Sequence, residues 1–291
     1  MFPPRFRYEA PRTLYDAIAL LHEGDGEAKV LAGGQSLVPL LKLRFASPEL
    51  LVDINNIPDL GYHHVDADGT LHVGALCRHA DLEHSGVLPE RQPTMAAAAP
   101  LIADPIVRVR GTLVGSLCHA DPQGDWAAVM IALGAHVVAQ GRGGRRSIAV
   151  GDFVTGPFQN ALTPDEVAVE AVVPAATGRR AGGFLKLERR VGDFATAGSA
   201  VAVELDGDRV VRAGIALSGV GSRTIDAREA SESLTGQTLD AAAITRAADL
   251  AAQAAQPRSD HRGSAEYKRH VVHTFVTRIL TRVATPSTEA A

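Results

Sequence analysis

The stretch Lys29–Arg44, KVLAGGQSLVPLLKLR, passes from a short apolar segment through two glycines, a glutamine and a serine into a leucine-rich segment with a helical period. Val30, Leu31 and Ala32 suit a buried strand. Gly33 and Gly34 permit the positive φ of a sharp reversal, and Ser36 is placed to cap the helix that follows. The expectation is a strand, a tight turn and a helix N-terminus. Backbone N–H groups at such an end lack intrahelical partners and lie at the positive end of the helix dipole, which makes them a ready site for phosphate. A turn that only joins strand to helix reads the same way, so this segment alone leaves both readings open.

Upstream, the segment from Thr13 places Leu14, Ala17, Ile18 and Leu21 on one helical face and stops at Gly24. Downstream, ELLVDI at 49–54 predicts another apolar strand. Strand, helix and strand in that order imply a small parallel α/β unit. Asp53 lies 20 residues beyond Gly33, where a Rossmann acid would reach a ribose. GGQSL lacks the GxGxxG pattern, however, and Asp53 fits a capped strand end equally well.

The 291 residues suffice for two domains of ordinary size, and 46% hydrophobic with 21% charged residues describes a globular protein. A net charge of -4 and a pI near 6.3 argue against a nucleic-acid or anionic-membrane surface. No apolar run reaches the roughly 18 residues of a membrane span. MFPPRFRYEAP has no apolar signal core, so a cytoplasmic protein is expected. Cys77 and Cys118, the only cysteines, cannot supply the four thiolates of an iron–sulfur cluster. They read as reduced, buried thiols, with a disulfide left open. None of the 11 histidines has HExxH-type spacing, so structural zinc is not expected, and His63–His64 reads as a solvent-facing loop pair.

Further along, GTLHVGAL predicts a strand, RHADLEHS a helix capped by Asp81, and PTMAAAAPLIAD an apolar helix interrupted by Pro100. GAHVVAQGRGGRRSIAV predicts a hairpin and DEVAVEAVVP a strand. Pro174 and the run AATGRRAGG mark a domain boundary. Beyond it, FLKLERR and SAVAVELDGDRVVRAGIALSGV supply three strands, the last two joined through Asp206, Gly207 and Asp208. Three helical segments follow: AREASESL, DAAAITRAADLAAQAAQ and SAEYKRHVVHTFVTRILTRV. The expected division is a first domain at 1–177, with subdomains at about 1–57 and 58–177, a C-terminal α+β domain at 178–285, and a disordered tail at 286–291.

A second turn strengthens the phosphate reading of the first. RGTLVGSLCHADPQGD, at 110–125, reads as another short strand running into a Gly-Ser turn and an Asp/Pro-rich loop, before the apolar helix WAAVMIALG. One phosphate needs one such turn, whereas a pyrophosphate can be gripped between two.

On these residues the chain resembles the FAD-binding medium subunits of the molybdenum hydroxylases, the group containing aerobic carbon monoxide dehydrogenase, nicotine dehydrogenase and the flavin domain of xanthine dehydrogenase. The resemblance runs through PPRFRYEAP, AGGQSLVPLLKLR, LVDI, HADP, RRVGDFA and RGSAEYKRH. It implies an α+β fold. A PCMH-type FAD-binding domain, with a small parallel α/β unit and a larger mixed or antiparallel one, would precede a C-terminal domain with a three-stranded antiparallel sheet and a helix bundle.

The same resemblance implies that Ala32, Gly33, Gly34, Gln35 and Ser36, with Leu37, wrap the FAD pyrophosphate. The second loop, usually TIGGN followed by HADP, closes from the other side through Thr112, Gly115 and Ser116. Val114 replaces a glycine there. A β-branched residue disfavours positive φ, so Val114 is expected in the β region, with Gly115 and Ser116 carrying that side of the grip. Phe194 would lie beside the isoalloxazine ring, Ile102 against it, Asp125 in contact with the cofactor and Lys186 near the flavin, where a cation could stabilise the anionic reduced ring. Taken by themselves, Phe194 is equally a core aromatic, Lys186 a solvated strand lysine, and His119 and Asp121 braces of their loop.

No nucleophilic triad or catalytic carboxylate pair stands out, so the hard chemistry would belong to a cofactor. The resemblance implies a substrate hydroxylated at a molybdenum cofactor on a large subunit and electrons crossing two [2Fe–2S] clusters on a small subunit. This chain would take them onto FAD and pass them to NAD⁺, a quinone or oxygen, in a heterotrimer that commonly pairs into a dimer of heterotrimers. Two other readings stand beside it: a flavin-free scaffold, suggested by Val114, and a stand-alone nicotinamide-dependent reductase using Gly33 and Asp53.

Overall fold

The fold, taken from a computed structural model, describes residues 2–285; the expected tail at 286–291 lies outside them. It begins with β1 (Arg7–Glu9), α1 (Leu14–Glu23), β2 (Ala28–Leu31), α2 (Leu37–Leu43) and β3 (Leu50–Asp53). The three strands form a parallel sheet in the order β1-β3-β2, the expected α/β unit with one strand added at its edge. Thr13 caps α1 by accepting the Asp16 N–H, and the helix buries Ala17, Ile18 and Leu21 against the sheet. In α2 only Leu41 is buried, so this leucine-rich helix is mostly wall rather than core.

The next unit carries β4 (His63–Val65), β5 (Leu71–Gly74) and the helices α3 (His79–Glu83), α4 (Leu88–Arg91), α5 (Pro93–Ala98), α6 (Pro105–Arg108), α7 (Leu113–His119) and α8 (Asp125–Ala132). The hairpin β6 (His136–Gly141) and β7 (Gly144–Ala149), the short α9 (Val150–Phe153), the pair β8 (Val154–Gly156) and β9 (Gln159–Asn160), and β10 (Val167–Val173) complete it. Its sheet runs β4-β5-β10-β6-β7 and is antiparallel throughout.

Local expectations are met in some places and corrected in others. The helix over PTMAAAAPLIAD ends at Ala98, and a 3-10 turn, Ala99–Leu101, takes up Pro100, whose missing N–H could not continue an α-helix. Asp81 caps α3 from its third residue, accepting the Arg78 N–H at 2.8 Å, while Arg78 occupies the cap position. His63 and His64 lie on β4 instead of a loop; His63 bonds Ser85 Oγ at 2.9 Å and His64 stacks on His72. Cys77 and Cys118 are both free thiols, as the reduced reading expects, but only Cys77 is buried; Cys118 is half-buried beside the cleft, and desolvation pushes both thiols up to about 12.

The C-terminal sheet contains the three expected strands, β11 (Arg179–Leu187), β12 (Ala197–Asp206) and β13 (Arg209–Ser218), joined by a fourth of two residues, β14 (Ile225–Asp226). Gly207, at φ +61, makes the hairpin turn between β12 and β13. Three helices follow: α10 (Arg228–Glu232), α11 (Ala241–Ala254) and α12 (Ala265–Ala284). The sheet is buried on both faces, and the two-residue period divides its side chains. Ala200, Ala202 and Ala216 join the core of the preceding unit, whereas Val201, Val203, Ile215 and Leu217 join the core under α11 and α12. The small side chains let α8 press onto the sheet: a Cβ on Gly214 would lie 1.9 Å from the Ala132 carbonyl oxygen. Among the described residues no helix is long and apolar enough to cross a membrane.

Candidate functional site

The first loop follows β2. Gly34 takes φ +74, as a reversal requires, but Gly33 is glycine for another reason. A Cβ there would lie 2.2 Å from the Arg110 carbonyl oxygen and 2.8 Å from Gly111 Cα, so the two loops touch backbone to backbone. Ser36 precedes α2 at φ -105, ψ -47 and makes no side-chain cap bond, which corrects the expected cap and leaves its hydroxyl free. The N–H groups of Gln35, Ser36 and Leu37 have no acceptor among the described residues.

The second loop differs from its expected form. Instead of a strand and a Gly-Ser turn there is a single bridge, Arg78 to Thr112, and then helix α7. Thr112 Oγ1 accepts the Gly115 N–H at 3.0 Å and the Thr112 carbonyl accepts the Ser116 N–H at 3.0 Å. The two amides expected to grip are therefore already bonded, and Leu113 and Val114 carry the unpartnered N–H groups. Val114 is helical rather than in the β region. Its side chain turns into the core, 2% exposed, so branching at Cβ does not obstruct the loop.

Both loops open on one cleft of about 1110 Å³, above the size usual for small ligands. Ala32, Gly33, Gly34, Gln35, Ser36, Leu37, Thr112, Gly115 and Ser116 line it at one end, and Ile102, Asp125 and Phe194 approach it elsewhere. Phe194 is 50% exposed, which removes the core-aromatic reading. Lys186 does not line the cleft, and it is no solvated strand lysine either. Its side chain is 1% exposed, and Nζ donates to Asp125 Oδ2 at 2.9 Å, to the Leu101 carbonyl at 2.6 Å and to the Asp193 carbonyl at 3.1 Å. It stands behind Asp125 and ties together the two loops that carry Ile102 and Phe194.

Asp125 opens α8 and is buried, and desolvation pushes its carboxyl up to about 6 against the pull of Lys186. Its Oδ1 has no partner among the described residues. Sequence reasoning missed His79, a buried cleft residue whose Nδ1 accepts the Trp126 indole N–H at 3.0 Å. Burial, with Arg108 and Arg78 nearby, pushes it down to about 4, so it is neutral near pH 7. Nothing in RHADLE distinguishes it. Phe158, at φ +58, also lines the cleft and tilts against His119. Asp121 braces its loop, accepting the Gln123 N–H at 2.8 Å. Asp53 stays outside the cleft: it caps the turn Ile54–Asn56 and takes the Tyr8 hydroxyl at 2.6 Å, so the Rossmann-type reading loses its acid.

Buried or half-buried backbone donors are normally paired, and here two loops leave Gln35, Ser36, Leu37 and Val114 unpaired around one space, with the unpaired Leu113 N–H behind it. That donor set suits an anion with several acceptor oxygens, and Gly33 keeps the loops close enough to share it. A dinucleotide diphosphate fits this chemistry, and the orphaned Asp125 oxygen offers an acceptor for a polar group further along.

Residues 4–176 match the family described as the FAD binding domain in molybdopterin dehydrogenase, and residues 183–283 match the CO dehydrogenase flavoprotein C-terminal domain. The carbon monoxide dehydrogenase medium chain of Hydrogenophaga pseudoflava is 41% identical, with 96% of this chain and 97% of that one covered. The 6-hydroxypseudooxynicotine dehydrogenase complex subunit alpha of Paenarthrobacter nicotinovorans is 40% identical over 97% of this chain and 95% of its own. In three dimensions the chain is similar to the solved carbon monoxide dehydrogenase of Hydrogenophaga pseudoflava lacking the Mo-pyranopterin moiety, at 42% identity and a TM-score of 0.91 over 97% of this chain and 98% of that one. It is also similar to quinoline 2-oxidoreductase from Pseudomonas putida 86, at 34% identity and a TM-score of 0.88, with 98% of each chain covered.

Proposed function

This chain belongs to the family of FAD-binding medium subunits of the molybdenum hydroxylases, and from that premise we propose that it is the electron-transfer subunit of such a complex. It carries an FAD-binding domain and is a subunit of an oxidoreductase. In the proposal, electrons arrive from [2Fe–2S] clusters on a small partner subunit, a large partner holds the molybdenum cofactor, and an external acceptor takes the electrons away. Bound FAD would supply a centre able to take one or two electrons, which links single transfers to two-electron delivery.

The observation that carries this reading is the set of unpaired amides on two loops facing one cleft. In the proposal, Gln35, Ser36 and Leu37 donate to one side of the pyrophosphate while Val114 donates to the other, with Ala32, Gly33, Gly34, Thr112, Gly115 and Ser116 shaping the passage. Ile102 and Phe194 supply apolar surface for the ring. Above pH about 6, Asp125 is a carboxylate whose free Oδ1 accepts a hydrogen bond from the ligand. Lys186 holds that carboxylate in place. The flavin-free scaffold loses its motive, because Val114 is helical, packs its side chain into the core and keeps an N–H with no acceptor among the described residues.

The names printed for the relatives refer to different compounds, and the proposed substrate site lies on another chain, so this subunit carries no reading of the substrate. The test is purification from the native host with a visible spectrum and identification of every bound chain and cofactor. The expected preparation is yellow, contains one FAD per copy of this chain and travels with two other subunits. A colourless preparation that took up no added FAD would overturn the reading.

A further inference from the structure

Two residues that never reach the cleft connect its two loops. Asn55, in the middle of the turn Ile54–Asn56 after β3, donates from Nδ2 to the Ala32 carbonyl at 2.8 Å. Arg78, just before α3, donates from Nη1 to the Arg110 carbonyl at 2.7 Å. They meet in the middle, where Arg78 Nη2 donates to Asn55 Oδ1 at 2.6 Å. The result is a continuous path of three hydrogen bonds from the backbone of the first loop to the backbone of the second. It runs behind the contact where Gly33 meets Arg110 and Gly111.

Both ends of this path are themselves held. Asp53 Oδ1 accepts from the Asn55 N–H and from Asn55 Nδ2, which fixes the amide orientation. On the other side, Asp81 accepts the Arg78 N–H, Arg78 bridges to Thr112, and the His79 N–H donates to the Gly111 carbonyl at 3.0 Å. A guanidinium suits the central position because its planar fork can serve two acceptors in fixed directions at once.

We propose that Asn55 and Arg78 are positioning residues, a strut that sets the gap between the two loops and thereby sets the affinity of the cleft for a diphosphate. The inference rests on the FAD-binding reading and adds to it which residues hold the grip at its width. A brace acting only on fold stability would affect all ligands alike. A strut acting on the gap affects only those that carry the diphosphate.

The test titrates the flavin-free full chain, in the assembly in which it purifies, with FAD, ADP and riboflavin. ADP has the diphosphate without the ring, and riboflavin has the ring without a phosphate. In Arg78→Ala and Asn55→Ala, binding of FAD and ADP is expected to weaken roughly 10- to 100-fold, the span of a hydrogen bond to a charged group. Riboflavin binding should stay within about twofold. Because either change breaks the same path, the double variant should lose little more than one single variant. Arg78→Lys, which keeps the charge but not the fork, should fall between wild type and Arg78→Ala. If Arg78→Ala does not fold, Asn55→Ala carries the test. Equal weakening of all three ligands, or unchanged ADP and FAD binding in Asn55→Ala, would overturn the proposal. A wild-type chain that bound neither FAD nor ADP would overturn the underlying reading and the strut with it.

Discussion

Gly33→Ala is the sharpest perturbation of the site, because the atom its new methyl group meets is backbone. The Cβ would lie 2.2 Å from the Arg110 carbonyl oxygen, about 1 Å inside the ~3.3 Å at which close carbon–oxygen contacts settle. That carbonyl accepts from Arg78 Nη1 at 2.7 Å and cannot swing aside without breaking the bond. Relief therefore requires the loops to part by about 1 Å, a displacement that can cost ~100-fold where groups must converge on one ligand. The expected FAD dissociation constant rises ~100-fold, about 2.7 kcal/mol of binding free energy. The unliganded chain should lose about 1–3 kcal/mol of stability, as in overpacked interiors. Gly34→Ala is the control. Its Cβ would meet only side-chain ends, Leu31 Cδ1 and Val38 Cγ2, each at 3.2 Å, but alanine at φ +74 costs about 1–2 kcal/mol. Titration of both flavin-free variants with FAD, beside thermal melts of each, separates the two costs. A Gly33→Ala chain that bound FAD within twofold of wild type would refute the claim that loop contact sets the grip.

The buried Asp125 carboxyl, pushed up to about 6 from 3.8, holds its proton more tightly folded than unfolded. Its stabilising contribution is complete below about pH 4 and is lost as pH rises through 6, an effect of about 3 kcal/mol. Asp125→Asn should remove that slope from a pH series of denaturant melts between pH 4 and 7, and an unchanged slope would reject the assignment. Lys186→Met strands a carboxylate that is buried, so a loss of about 3–5 kcal/mol is expected in the same melts. Adding Asp125→Asn should restore part of it, and strict additivity of the two changes would show that they do not act on each other. Phe194→Ala, at a half-exposed position, should leave the melting temperature unchanged while riboflavin binds roughly 2- to 10-fold more weakly and ADP as before. Weaker ADP binding would place the ring elsewhere in the cleft.

How much of this could be read in advance depends on whether a feature was decided locally. The first loop was legible because its cause is local: an apolar strand, two glycines and a helical leucine pattern on adjacent residues. The second was misread because GTLVGSL is rich in residues that favour strands and turns, and the force that makes it helical is tertiary. Leu113, Val114 and Leu117 all bury in the core, and the Thr112 cap then fixes where the helix begins. The one local signal available was the cap spacing from Thr112 to Gly115, with leucines four apart at 113 and 117. Strand β1 was missed for a related reason: RYE shows no apolar alternation, and its place at the sheet edge depends on backbone pairing with Leu50–Val52.

The residues around the cleft divide along the same line. Gly33 and Gly34 can be singled out within their own segment and Asp125 through the family resemblance, but the partners that give them their properties lie far away in sequence, as Lys186 does from Asp125 and Arg110 from Gly33. Asn55 and Arg78 carry no motif at all, and only the folded chain shows that they span the two loops. Donor groups at each loop are a property of short sequence, whereas the distance between loops is a property of packing. A ligand held from two sides responds to both. Variants of this cleft should therefore sort by whether they change the gap, and substitutions outside every recognisable motif can weaken the grip as much as those within it.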